Sequence, residues 1–145
     1  MHKDRLLRLA DLLEEDSANP EGIRFDMNYW SRSTHVDLRY DWKPAHSCGT
    51  TACAMGLAAI SGRFKKEGLS LDLTGVPEMP GGYVGLGAAA ELFTISLRDA
   101  SLLFLPDAYE YSVGAKAERA VALRIRALVA GDPEWPAVGN EAPEL

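Results

Sequence analysis

The two cysteines of the chain, and three residues that could assist them, sit close together in Ala45-His46-Ser47-Cys48-Gly49-Thr50-Thr51-Ala52-Cys53-Ala54-Met55-Gly56. If Cys48 lies at or just before the first turn of a helix, the unpaired backbone N–H groups and positive helix end there stabilise its thiolate. Its pKa then falls below the free value of about 8.5 and the sulfur becomes nucleophilic. His46, two residues earlier, points the same way in an extended segment and could serve as the base. The N–H groups of Gly49 and Thr50 would then face a developing negative charge. Cys48 and His46 are therefore the candidate catalytic pair, should the chain be a thiol enzyme. The competing expectation is that Cys48 and Cys53 are small apolar residues filling a tight helix start, since free cysteine is among the most buried residue types.

Two further chemistries use the same residues. A Cys48–Cys53 disulfide would act as a redox switch rather than a staple in a reducing compartment, and requires Cα atoms within about 7 Å. A metal held by His35, His46, Cys48 and Cys53 would have four suitable ligands. The cysteine spacing, however, lies at the edge of zinc-site geometry and no second cysteine pair exists. Neither a metal nor a cofactor is assigned.

Other patterns look functional and have plainer explanations. Gly85-Leu86-Gly87-Ala88-Ala89-Ala90 fits the glycine fingerprint of dinucleotide sites but lacks a βαβ context, so close packing of an alanine helix explains it more simply. Ala89 to Phe104, with Thr94-Ile95-Ser96 as a turn, resembles a helix-turn-helix whose second helix offers only Arg98 for base reading. Glu14-Glu15-Asp16 reads as the solvated end of a surface helix. The aromatic residues Tyr29, Trp30, Tyr40 and Trp42 bracket the irregular segment before Cys48 and are the candidate binding residues. Trp30 suits core packing, whereas Trp42, between Asp41 and Lys43, suits an exposed contact.

The elements that must position these residues follow from periodicity and punctuation. Leu6, Leu9, Ala10 and Leu13 recur at helical spacing and predict an amphipathic helix over Lys3–Glu15, ended by Asn19-Pro20-Glu21-Gly22. Asp26 is placed to cap one helical turn that plants Phe25, Met27 and Trp30 in the core. His35 to Tyr40 alternates like a strand. A helix apolar nearly all round is expected from Gly49 or Thr50 to Ile60 or Ser61, closed by Gly62. Leu69 to Leu73 alternates with period two, as in a short half-exposed strand. Pro77 to Gly82 reads as loop, returning through Tyr83-Val84. Helices follow over Ala88–Phe93, over Leu97–Phe104 behind a Ser96 capping box, and over Ala115–Ala130 with Gly131 as its stop.

At 145 residues, 47% apolar and 25% charged, the chain has enough apolar sequence for one domain with a real core. The predicted fold is a mainly helical α+β domain over residues 1–131, with a small antiparallel sheet or hairpin and an acidic, Pro-containing flexible tail over 132–145. Four carboxylates, Asp132, Glu134, Glu141 and Glu144, lie beyond the last basic residue, Arg126. Of the net −6, about −2 therefore remains for residues 1–131. That balanced surface has no basic stripe for phosphate neutralisation, so nucleic acid is not an expected partner. The opening Met1-His2-Lys3-Asp4-Arg5-Leu6 lacks the uninterrupted apolar run of a signal or spanning segment. A cytoplasmic location with no membrane partner is expected.

Leu9-Ala10-Asp11, Phe25-Asp26-Met27 with Trp30, the Cys48-to-Cys53 run followed by Gly56, and the alanine-rich helix leading to a Leu-Phe helix together resemble an uncharacterised family of small bacterial and phage proteins. The likeness spans roughly residues 5 to 130, and the CGTxAC motif is its most specific part. It implies an accessory role and brings no activity. Cys48-Gly49 followed by Ala52, Ala54 and Met55 also resembles the nucleophile helix of papain-like bacteriocin-processing peptidases. Those enzymes place their histidine after the cysteine, and none follows His46 here. The expected function is binding of another protein or a small molecule through the Tyr29 to Cys48 surface. A thiol enzyme is the alternative, as is an oligomerising subunit suggested by the apolar Leu102-Leu103-Phe104-Leu105 run.

Overall fold

The computed structural model of the chain describes residues 1–33 and 50–140. Among them are five α-helices and two three-stranded sheets packed on a common core, the α+β class expected. The strand expected at His35 to Tyr40 lies outside the described residues.

Helix α1 (Lys3–Ala18) buries Leu6, Leu9, Ala10, Leu12 and Leu13. It runs a turn further than its apolar pattern and ends where Pro20 forces Asn19 into an extended conformation. Its main partner is α5 (Ala115–Val129), which buries Ala117, Val121, Ile125 and Leu128 against it. The two helices are antiparallel: Arg126 of α5 pairs with Asp11 and Glu14 of α1, at 2.6 Å each, while Glu118 meets Asp16 at the other end.

The first sheet, built from segments that fall between these helices in the chain, has the order β1-β3-β2. Strand β1 (Arg24–Phe25) runs parallel to β3 (Thr50–Ala52), and β2 (Ser31–Ser33) runs antiparallel to it. Thr50 to Ala52, expected as the first turn of the central helix, is thus the middle strand. Pairing on both sides overrides the local helical pattern, and α2 (Ala54–Ser61) starts only after Cys53. Helix α2 is buried at Ala54, Met55, Gly56, Leu57, Ala58 and Ile60, and Gly62 closes it at φ +75°.

The second sheet, which was only partly foreseen, is antiparallel in the order β4 (Ser70–Leu71), β5 (Pro77–Met79), β6 (Tyr83–Val84). The alternating segment is cut short because Asp72 turns the chain: its Oδ1 accepts from the Thr74 and Val76 amides at 2.8 and 3.0 Å. Those bonds hold its carboxyl below the usual range. Strand β5 replaces part of the expected loop, with Pro77 at the first strand position where the ring is tolerated.

Helices α3 (Leu86–Phe93) and α4 (Leu97–Phe104) follow, and Ser96 Oγ accepts from the Asp99 amide at 3.0 Å as the N-cap of α4. Phe93 joins the helices, edge-on to Phe64 and stacked on Phe104 with ring centroids 6.1 and 5.9 Å apart. Leu103 and Phe104 are buried and Leu102 and Leu105 half-buried, so one domain absorbs most of the apolar run that suggested oligomerisation.

Residues 132–140, expected as part of a flexible tail, instead pack on α5. The Arg124 Nε donates to the Val138 carbonyl at 2.8 Å, and Trp135, the first residue of a 3-10 turn over Trp135–Ala137, rests against the core. Among the described residues no helix is long and apolar enough to cross a membrane.

Candidate functional site

The segment carrying Tyr29 and Trp30 is held by backbone bonds on both sides. Asp26 does not cap a helical turn. Its amide donates to the Ala52 carbonyl at 3.0 Å, and its Oδ1 accepts from the Asn28 amide at 2.9 Å, which makes a tight turn. The Met27 amide donates to the Ser112 carbonyl, and the Gly114 amide to the Phe25 carbonyl, both at 2.8 Å. Phe25 and Met27 are buried as expected.

On the other side the Cys53 amide donates to the Tyr29 carbonyl at 2.8 Å, and Cys53 Sγ lies 3.8 Å from the Trp30 carbonyl oxygen. That same oxygen abuts Gly56, where a Cβ would overlap it. Glycine is required at this position so that the helix can meet the chain backbone to backbone. The Trp30 ring continues to Gly85, where a Cβ would lie 3.3 Å from it, and the Ser31 hydroxyl donates to the Gly75 carbonyl at 2.6 Å. Trp30 and Ser31 thereby tie the first sheet to the second.

Those contacts revise the expected thiol chemistry. The cysteine at the N-cap of α2 is Cys53, and strand β3 separates that helix from Cys48. Helix-end activation of Cys48 therefore loses its premise. Cys53 is a free thiol, 2% exposed, and burial pushes it up to about 11 although the Gly56 and Met55 amides act to lower it. Desolvation outweighs the helix end, and Cys53 is inert filling. Cys48, His46, His35, Tyr40 and Trp42 lie outside the described residues. Among the described residues no group of three or more His, Cys, Asp or Glu is arranged to hold a metal.

Of the four candidate binding residues, Tyr29 and Trp30 can be placed. Trp30 is half-buried and lines a recess of about 210 Å³ with Met27, Asn28, Phe104, Leu105 and Pro106. Tyr29 stands beside it, 42% exposed, with the Arg32 guanidinium 5.5 Å from its ring centroid. Asn28 donates through Nδ2 to Asp26 at 2.8 Å, so its amide edge is held in place at the rim. The sequence pattern marked neither Asn28 nor the α4 end as part of this surface. Pro106, which stops α4, was the available signal.

A broader hollow of about 480 Å³ lies between β6, α3 and the start of α4, lined by Tyr83, Gly87, Ala90, Glu91, Thr94, Ile95 and Leu97. Gly87 and Ala90 of the glycine fingerprint line it, yet the strand before Gly85 is a two-residue antiparallel edge, and Gly85 packs on Trp30 at φ +58°. Close packing thus explains the glycine there. Helix α4 presents Leu97 and Arg98 to solvent at its start.

No family model, curated protein or solved structure matches the chain.

Proposed function

We propose that this chain is a small accessory binding protein of bacterial or phage origin that works in the cytoplasm and engages a partner protein through the surface around Tyr29 and Trp30. The observation that carries this is the recess walled by Trp30, Phe104, Leu105 and Pro106, with Asn28 at its rim and Tyr29 and Arg32 beside it. Its volume of about 210 Å³ is below the roughly 300–1,000 Å³ of ordinary small-molecule sites and suits one apolar or aromatic side chain. Interfaces are dominated by such anchors seated in small apolar pockets. The Asn28 amide would accept or donate to the backbone of the anchor, and Arg32 would favour an acidic neighbour. Tyr40 and Trp42, candidate binding residues on their aromatic character, lie outside the described residues.

Support is tested with N-acetylphenylalaninamide as a probe of the recess, followed through backbone amide shifts. Saturable shifts should centre on Met27, Asn28, Trp30 and Leu105, weaken in Asn28→Ala and persist in Cys48→Ala. Shifts absent from the recess, or abolished by Cys48→Ala, would contradict a thiol-independent binding surface.

A further inference from the structure

At the junction of α1 and α5, the buried carboxyl of Glu118 meets that of Asp16, a half-buried residue whose Oδ2 is shielded from water. Glu118, in the first turn of α5, is 1% exposed and hydrogen-bonds the side chain of Asp16, in the last turns of α1. Asp16 Oδ1 is occupied by the Ile23 amide at 3.1 Å. The remaining oxygens, Asp16 Oδ2 and Glu118 Oε2, are both shielded from water, and neither meets an N–H or O–H donor. Two ionised carboxylates cannot donate to one another; a single proton held between them turns one into a donor and satisfies both.

The surroundings seal that proton in. The connection after α1 wraps over Asp16 so tightly that a Cβ on Gly22 would lie 2.7 Å from its Oδ1. The charged groups acting on Glu118 are Asp16 from α1 and Arg119 from its own helix. Glu21 of the connection and Arg24 of β1 are exposed. Further along the same helix pair, Asp11 and Glu14 are already engaged by Arg126. Expected from the sequence as part of a solvated carboxylate run, Asp16 is thus turned into the helix contact while Glu14 and Glu15 form surface ion pairs with Arg126 and Arg63.

We propose that Asp16 and Glu118 share one proton across the α1–α5 contact and act as a proton-dependent latch, closed with the proton in place and opened when it is lost. Opening transfers the proton to solvent and takes the pair from one negative charge to two. The repulsion then falls on the end of α1, the Asn19 to Ile23 connection and the first turn of α5, while Arg126 holds the other end of the helix pair. Burial, followed by the bond to Asp16, pushes the Glu118 carboxyl up to about 10, which keeps the latch loaded at neutral pH.

The wild-type chain carries the primary test: the Glu118 side-chain carboxyl carbon is followed by NMR against pH, together with amide exchange corrected for its intrinsic rate. The carboxyl should inflect above neutral pH. Protection over residues 16–24 and 115–121 should fall by up to about tenfold per pH unit from neutrality up to the inflection and level off above it, with residues 54–61 staying the better protected throughout. In Glu118→Gln the amide replaces the shared proton as donor to Asp16, so the variant should fold and lose this pH dependence. A Glu118 inflection near the ordinary value of about 4.5 would overturn the latch. So would a Glu118→Gln variant that fails to fold or that keeps the wild-type pH dependence.

Discussion

The carbonyl oxygen of Trp30 lies against the Cα of Gly56, closely enough that no side chain fits between them. This contact joins the two motifs that stood apart in the sequence, the FDMxxW segment and the cysteine run. It gives the run a positioning role: Cys53 and Gly56 hold the backbone of Tyr29 and Trp30 beside the recess.

Gly56→Ala should therefore be among the most damaging small substitutions in the chain. The obstruction is backbone, which cannot swing aside, and a cost of about 3 kcal/mol or more is expected in urea unfolding. Gly62→Ala is the comparison, since a Cβ there meets nothing within 4 Å and only the left-handed conformation is penalised. Its expected cost is about 1 kcal/mol. Equal losses at the two glycines would show that the Trp30 contact is not decisive.

Cys53 should resist alkylation in the native protein at pH 8 and react only on unfolding, because burial holds its thiol at about 11. Peptide mass spectrometry after timed iodoacetamide treatment separates it from Cys48 and provides the buried reference for the rate there. Rapid native labelling of Cys53 would contradict its burial. Cys53→Ala, which preserves a small apolar group, should be tolerated better than Cys53→Asp.

Arg124 is 0% exposed and gathers three carbonyls: Leu102 and Ala108 at 2.7 and 2.8 Å from its Nη1, and Val138 at 2.8 Å from Nε. Its guanidinium lies 3.6 Å from the Tyr109 ring centroid. Arg124→Ala strands these carbonyls and should cost about 3 kcal/mol or more, and limited proteolysis should then cut within residues 132–140. Lysine has no planar fork and should rescue little. Tyr109→Phe, which loses only the hydroxyl donated to the Leu103 carbonyl at 2.7 Å, should cost about 1 kcal/mol.

Much of the helical architecture was legible because its signals are local. The apolar stripe of α1, the Ser96 cap, the Pro106 stop and the Gly131 end all act within a few residues of where they are read. Thr50-Thr51-Ala52 reads as helix because it runs into an apolar helix, whereas its strand character comes from β1 and β2, which are distant in sequence. Moving the helix start from Gly49 or Thr50 to Ala54 changed which cysteine occupies the cap, and with it the chemistry. The packing of residues 132–140 depends on Arg124, an arginine that periodicity assigns to a helix without revealing that it is buried. Of the candidate binding residues Tyr29 and Trp30 could be read from their aromatic character, whereas Asn28 and Pro106 join them only through the tertiary fold.

Global stability should fall as pH rises through neutrality. Glu118 is raised in the folded chain to about 10 from an unfolded value near 4.5. Its contribution is complete below the unfolded value and is lost progressively as pH climbs toward the folded one, at up to about 1.4 kcal/mol per pH unit. Urea midpoints between pH 6 and 9 should decline in wild type and flatten in Glu118→Gln.

The proposed contact surface is tested most directly by fluorine NMR of the chain labelled with 5-fluorotryptophan, since its three tryptophans, Trp30, Trp42 and Trp135, give separable lines. On titration with N-acetylphenylalaninamide, the Trp30 line should shift saturably while that of Trp135, packed on α5, stays fixed. A Trp30 line that does not move at saturating probe would contradict the assignment of this recess as the binding surface.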